Sequence, residues 1–274
     1  MLFRSLKPEF RYMHRWNEKD LLIWDNLGSI HQAIADLRAD GGASVMDTML
    51  QLQADQLGVT VRRPVDQETI ENMVRAADVT GITPIARIAL NAPQNLLRYL
   101  DSGCLGVEIP MVNTEEEARR VADAVRYPPR GIRGLAGVRA NEWGITRSLG
   151  EYVKMANDEN LCIVQIETTT AFENVKAIAS VPEVDMVFVG PTDTSSALGF
   201  PGEVTHPEVL AVLERMGKTI RDCGKHAGTI GANGEMVAKL SGWGYNYFAN
   251  NVMGMLVAAG RNYLADCRPN VVKK

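Results

Sequence analysis

Polar residues stand where several apolar runs end, and their types suit one kind of chemistry. Gln165 and Glu167 close "LCIVQIE" (from Leu161), Arg87 lies in "TPIARIAL" (from Thr83) and Glu108 in "GVEIPMV" (from Gly106). Asp47 lies in "ASVMDTM" (from Ala43), Asp193 follows "DMVFVGP" (from Asp185), and Asn250 and Asn251 end "YNYFANN" (from Tyr245). A carboxylate at the end of a buried strand must be paired, protonated or bound to a cation, because an isolated buried charge is very costly. Glu167 and Asp193 belong to consecutive runs. On adjacent strands the two would come close enough that both stay ionised only with a cation between them. Oxygen ligands with no His or Cys beside them favour Mg²⁺ or Mn²⁺ over zinc, with Co²⁺ a third candidate. The competing reading is a structural ion pair between one of these acids and Arg87. The Arg87 fork equally matches a substrate carboxylate, unless Asp47 or Glu108 occupies it. The turn "GPTDTS" spans Gly190, Pro191, Thr192 and Asp193, a stretch whose backbone N–H groups could hold a carboxylate.

These residues converge only if the strands lie side by side, and the order of elements says that they do. Strand-length apolar runs alternate with amphipathic helical stretches along the whole chain, beginning with "DLLIWDN" (from Asp20) and including "HAGTIGA" (from His226). Caps agree: Asp66 before the second helix, Asn113 and Thr114 before a Glu triplet, and Gly81, Gly103 and Gly224 at helix ends. Eight βα units in this length predict a TIM (β/α)8 barrel, with polar strand ends gathered on its catalytic face. A doubly wound sheet usually carries a Gly-rich turn after its first strand, and "DNLGSIHQ" has one glycine only. The expected organisation is an N-terminal arm over 1–19 and a single barrel over 20–274.

Composition is that of a globular protein. Of 274 residues 46% are apolar and 23% charged, with net charge −4. A slightly acidic chain without a basic block argues against nucleic acid as the main partner. No apolar run reaches the roughly 18 residues a membrane helix needs, and the N-terminal stretch lacks the core of a signal peptide, so a cytoplasmic location is expected. Four scattered cysteines with no C-x-x-C pair signal neither a zinc site nor a disulfide framework.

Two connections are unusually long. One runs from Gln51 to Val65 after the second predicted strand, on the catalytic side. The other, "YPPRGIRGLAGVRANEWGITRS", carries Arg130, Arg133, Arg139 and Trp143 ahead of a short extra helix. It reads as a plain connection, an oligomer contact or an active-site lid.

Long motifs then resemble a known family. "VQIET" (from Val164), "VFVGPTDTSSALGFPGEVTHPEV" (from Val187) and "GVEIPMVNTEEEARRVADAVRYPPRGIRG" (from Gly106) resemble the metal-dependent class II 2-oxo acid aldolases of the HpcH/HpaI family, with the likeness running from about Thr69 to about Ala258. The resemblance implies that Glu167 and Asp193 bind a divalent metal, which chelates pyruvate or its enolate. It further implies that Arg87 stabilises the enolate oxygen with Gln165 beside it, and that amides of the G-P-x-D turn hold the pyruvate carboxylate. The family forms oligomers, usually hexamers built from dimers that exchange the last helix. Here "VMGMLVAAGRNYLA" offers Val252, Met253, Leu256, Val257 and Leu264 on one broad apolar face.

One departure is plain. Family members end the second strand with D-x-E-H, whose His serves proton transfer. Here Asp47 is kept, and counts with Arg87 as catalytic, but Met49 and Leu50 stand where Glu and His would be; an alternative alignment puts "VTVRRP" there, and it lacks the His too. His14, His31, His206 and His226 are the only histidines; His31, after the first strand, is the one on the catalytic side. The leading reading is a carbon–carbon lyase acting on a 2-oxo acid through a pyruvate enolate. A decarboxylase or a carbon–carbon bond-forming variant comes next, since loss of carbon dioxide needs no such His. Arg62 and Arg63 in the altered stretch would then hold a second acidic group. A catalytically silent 2-oxo acid-binding or structural barrel is the reading of another class.

Overall fold

The computed structural model describes residues 67–267. The first two predicted strands, the 51–65 stretch and Asp47, Met49, Leu50, Arg62, Arg63, His14 and His31 lie outside the described residues. Within them run α1 (Gln67–Thr80), β1 (Ile85–Arg87), α2 (Pro93–Asp101), β2 (Gly106–Ile109), α3 (Glu115–Val125), α4 (Leu149–Glu159), β3 (Leu161–Ile166), α5 (Thr169–Ala179), β4 (Met186–Val189), α6 (Pro191–Ala197), α7 (Pro207–Asp222), β5 (His226–Ile230), α8 (Gly234–Gly242), β6 (Tyr247–Ala249) and α9 (Val252–Cys267). The six strands are parallel and pair in chain order, forming a curled half-barrel. All six predicted strands that can be compared are present.

Alternation along each strand creates two layers. Cys162, Val164 and Ile166 of β3 join Val107 and Ile109 of β2, Val187 and Val189 of β4 and the apolar faces of the helices in the main core. Removing such a Val or Ile side chain from water is worth roughly 1.5–3 kcal/mol, so this packing dictates which face turns outward. The other face carries Ile163, Met186, Phe188 and Ala249, packed with Ile85, Leu161, Ile230 and Tyr247. Period two then puts Gln165 and Glu167 on the same inner face, above Ile163.

The helices start and stop where their ends demand. Thr114 caps α3 by accepting from the Glu117 N–H at 3.2 Å, and three glutamates fill the first turn, where negative charge suits the helix dipole. Thr168, the residue after Glu167, caps α5 through the Ala171 N–H at 3.1 Å. Gly81, Gly103 and Gly224 end helices with φ of 74°, 106° and 77°.

The opposite end of the sheet is clamped by a buried guanidinium. Arg126 donates to Glu183 Oε2 at 2.8 Å and to Asp185 Oδ2 at 2.7 Å, while Asp185 Oδ2 also accepts from the Cys162 N–H at 2.7 Å. The chain after α3 is thereby tied to the starts of β3 and β4. The long 126–148 connection lies at this same end. Arg130 pairs with Glu183 and Asp158, Arg133 with Asp101, and Arg139 with Asp78. Those acids sit at helix C-terminal ends or just before strands, so the connection packs away from the strand C-termini and the lid reading does not hold for it. Trp143 and Ile145 remain largely exposed.

Two further details depart from expectation. "GPTDTS" is not a bare turn: Pro191 opens a seven-residue helix, α6, with Gly190 as its N-cap. Asn250 donates to the Gly231 carbonyl and Asn251 caps α9 through the Gly254 N–H, so both serve the backbone rather than the cluster described next.

Candidate active site

Glu167 continues the β3 pleat one step past Ile166 and is buried. Its Oε1 accepts from the Met111 N–H at 3.0 Å, and its Oε2 accepts a short bond from Gln165 Nε2. Gln165 Oε1 in turn accepts from Arg87 Nε at 3.1 Å. Arg87 Nε lies 4.0 Å from Glu108 Oε1, so the guanidinium is shared between the amide and a buried acid. Charge and hydrogen bonding therefore run in a row from Glu108 through Arg87 and Gln165 to Glu167. Gly190 completes the floor. A Cβ there would come to 3.0 Å from both Gln165 Nε2 and Glu167 Oε2, so a larger residue would press on these two side-chain ends.

Asp193, in the first turn of α6, closes on Glu167 from the next strand. Burial pushes the Glu167 carboxyl up, Asp193 beside it pushes further, and the bonds from Gln165 and Met111 oppose both. A raised folded-state value means that the folded chain binds this proton more tightly than the unfolded chain. The contribution to stability is then full below the ordinary Glu range and is lost as pH rises through the folded value. Metal-stripped protein should accordingly lose melting temperature as pH rises above the ordinary Glu range, relative to Glu167→Gln. Saturating Mg²⁺ should cancel that loss. Parallel melting curves for the two proteins across this range would contradict the account.

The donor set suits a hard divalent cation. Two carboxylates in contact, one of them buried, need either a shared proton or a cation, and both offer oxygen ligands. No cluster of three or more His, Cys, Asp or Glu exists among the described residues, so those residues alone would not fill a coordination sphere. Cys104 and Cys162 pack into the main core, where burial pushes both thiols up to about 12.

The structure thus brings Arg87, Glu108, Gln165, Glu167, Gly190 and Asp193 together. The G-P-x-D stretch offers fewer free amides than its sequence suggests. Gly190 donates its N–H to the Ile166 carbonyl at 3.2 Å and Pro191 has none, which leaves the amides of Thr192 and Asp193 in that stretch. His206 caps α7 and stacks on Phe200, with centroids 3.6 Å apart. His226 starts β5, at the opposite end. Sequence reasoning missed the Met111 amide, which no residue type advertises.

Two parallel strands thus present adjoining acids at their C-terminal ends, with an arginine and a glutamine in line, on a curled α/β sheet. The sequence profile described as HpcH/HpaI aldolase/citrate lyase matches residues 47–259. The chain belongs to that family, and as a member it is a carbon–carbon lyase. It is 38% identical over 187 residues to a 2-dehydro-3,6-dideoxy-6-sulfogluconate aldolase of Pseudomonas putida, covering 68% of this chain and 72% of that one. It is 41% identical over 175 residues to a 2-keto-3-deoxy-L-rhamnonate aldolase of Klebsiella pneumoniae, covering 63% and 64%. A crystal structure of an HpcH/HpaI aldolase/citrate lyase family protein from Burkholderia cenocepacia superposes with a TM-score of 0.69 at 28% identity, covering 74% of this chain and 81% of that one.

Proposed function

We propose that the protein is a divalent-metal-dependent lyase that breaks a carbon–carbon bond of a 2-oxo acid through its pyruvate enolate. The observation that carries this is the contact of Glu167 with Asp193, beside the row of Arg87 and Gln165. A divalent cation held by Glu167 and Asp193 would supply Lewis-acid polarisation of the 2-oxo group. The chain's own groups do the rest. Arg87 presents positive charge where the enolate oxygen develops, Gln165 orients the guanidinium, and the amides of Thr192 and Asp193 receive the carboxylate. Aldolases of keto acids among the relatives support the substrate class. The predicted strands at 20–26 and 43–49 would complete an eight-stranded barrel, with Asp47 at the rim as a second catalytic group.

A second reading rests on a specific feature, the absence of the family's second-strand His. Decarboxylation of an oxaloacetate-type acid breaks the C3–C4 bond, the electron pair passes to the 2-oxo group, and carbon dioxide leaves with no hydroxyl to deprotonate. A structure of similar fold is a citrate synthase (TM-score 0.68, 25% identity), so bond formation is also within reach of this architecture. One assay decides. Protein with Mg²⁺, Mn²⁺ or Co²⁺ should decarboxylate oxaloacetate above the metal-only rate and exchange the methyl protons of pyruvate into deuterated water. Neither reaction, with any of the three metals, would leave the silent barrel as the answer.

Assembly follows from α9. Gly254 to Asp266 are all exposed, including Met255, Leu256, Val257 and Leu264. An exposed apolar helix of this length is suited to docking on a second copy. Light scattering at micromolar concentration should report a dimer or a multiple of it, such as a hexamer. Leu256→Asp should shift it toward monomer; a wild-type monomer would remove the idea.

A further inference from the structure

Met111, just beyond β2, is a non-glycine residue at φ 57°, in the left-handed region. L-residues other than Gly, Asn and Asp rarely go there, and such residues concentrate at functional sites. Its conformation has a local consequence. Successive N–H groups of an extended strand point in opposite directions, whereas here two in a row face β3. The Met111 N–H reaches Glu167 Oε1 at 3.0 Å, and the Val112 N–H reaches the Gln165 carbonyl at 3.1 Å. The thioether takes no part in this and is half exposed.

What holds Met111 in place is Asn113, whose four polar groups are all engaged. Its Nδ2 donates to the Met111 carbonyl at 2.8 Å and its N–H to Glu117 Oε2 at 2.7 Å. Its carbonyl accepts from Asn174 Nδ2 at 2.8 Å, and its Oδ1 accepts a short bond from Thr168 Oγ1. One side chain thus ties the residue that grips Glu167 to the residue that follows Glu167.

We propose that Met111 and Asn113 are positioning residues for the metal-binding carboxylate. The Met111 amide and the Gln165 amide hold the two oxygens of Glu167 from different sides and set its plane, while Asn113 keeps the left-handed peptide in register. This rests on the reading of Glu167 as a metal ligand. Groups that orient a ligand in this way typically change metal affinity or activity by about 10–100-fold when lost.

The test is Mn²⁺ binding by calorimetry without substrate, alongside thermal melts. Asn113→Ala should bind Mn²⁺ at least tenfold more weakly than wild type. Met111→Val should do likewise, because a β-branched residue resists φ 57°. Met111→Gly, which accepts that angle, should bind at least fivefold more tightly than Met111→Val, as expected if the backbone and not the thioether matters. Both weak binders should be folded, with cooperative melts. Wild-type affinity in Asn113→Ala and Met111→Val, with affinity lost in Glu167→Gln, would overturn the proposal while leaving the metal reading intact. Wild-type affinity in Glu167→Gln itself would overturn the metal reading and the positioning role with it.

Discussion

Glu167→Gln should abolish metal-dependent turnover, lowering kcat/KM by roughly a thousandfold or more, and Asp193→Asn should do the same. A Lewis acid contributes several kcal/mol of transition-state stabilisation, and each tenfold of rate corresponds to about 1.4 kcal/mol. Each variant deletes one of the two anionic donors that meet at the ends of β3 and β4. The fold should survive. A glutamine at 167 can still accept from the Met111 N–H, and Asp193 lies exposed in the first turn of α6. Replacing either acid also removes the like-charge contact that burial makes costly in the absence of a cation. Metal-stripped variants should therefore melt at or above the wild-type temperature, while calorimetry shows the divalent cation binding at least a hundredfold more weakly. If either variant kept wild-type affinity, the assignment of that residue as a ligand would be wrong. Loss of turnover with wild-type affinity would move the residue from holding the cation to handling the substrate.

Much of this site is legible in the sequence because parallel strands in a βα series pair in chain order. Once "LCIVQIE" and "DMVFVGP" are read as consecutive strands, Glu167 and Asp193 have nowhere to go but the same edge. Period two likewise puts Gln165 with Glu167, since Val164 and Ile166 belong to the outer core. The illegible parts are those decided by backbone geometry or by distant partners. The Met111 amide carries no residue-type signal, because any residue but proline has an N–H and the left-handed angle depends on Asn113 and Thr168 closing around it. Nor does "PTDTSSA" advertise α6, since seven residues rich in Thr and Ser have weak helix propensity and only Pro191 at the first position favours it. The arginines of the long connection looked available for a neighbour or a lid. Their partners Glu183, Asp158, Asp101 and Asp78 lie 28 to 61 residues away, a pairing that spacing alone does not reveal.

Arg87→Ala should suppress oxaloacetate decarboxylation and any retro-aldol cleavage together, each by roughly 100- to 1,000-fold, the loss seen when one preorganised donor to a developing oxyanion is removed. Both reactions end with an electron pair delivered into the 2-oxo group, and among the described residues Arg87 is the cation in line with Glu167, held by Gln165 at 3.1 Å. They differ in what must leave the other side. Aldol cleavage requires a proton to be taken from the 4-hydroxyl before the C3–C4 bond breaks, whereas decarboxylation releases carbon dioxide with no such transfer. Met49 and Leu50 stand where the family resemblance puts two polar residues, and Arg62 and Arg63 follow them in the sequence. Two apolar residues followed by two arginines in the sequence suit a substrate with a hydrophobic body and a further carboxylate or phosphate better than a short hydroxy-aldehyde. Wild-type protein should therefore cleave simple 4-hydroxy-2-oxo acids at least tenfold more slowly than it decarboxylates oxaloacetate. Leu50→His should raise the first rate and leave the second within a few fold, because a base helps only the reaction that has a proton to move. If the wild type cleaves such aldols efficiently and His31→Ala destroys that activity, the base has moved along the chain and the substrate is an ordinary hydroxy-acid. Equal suppression of both reactions in His31→Ala would instead make His31 part of the binding pocket and not the base.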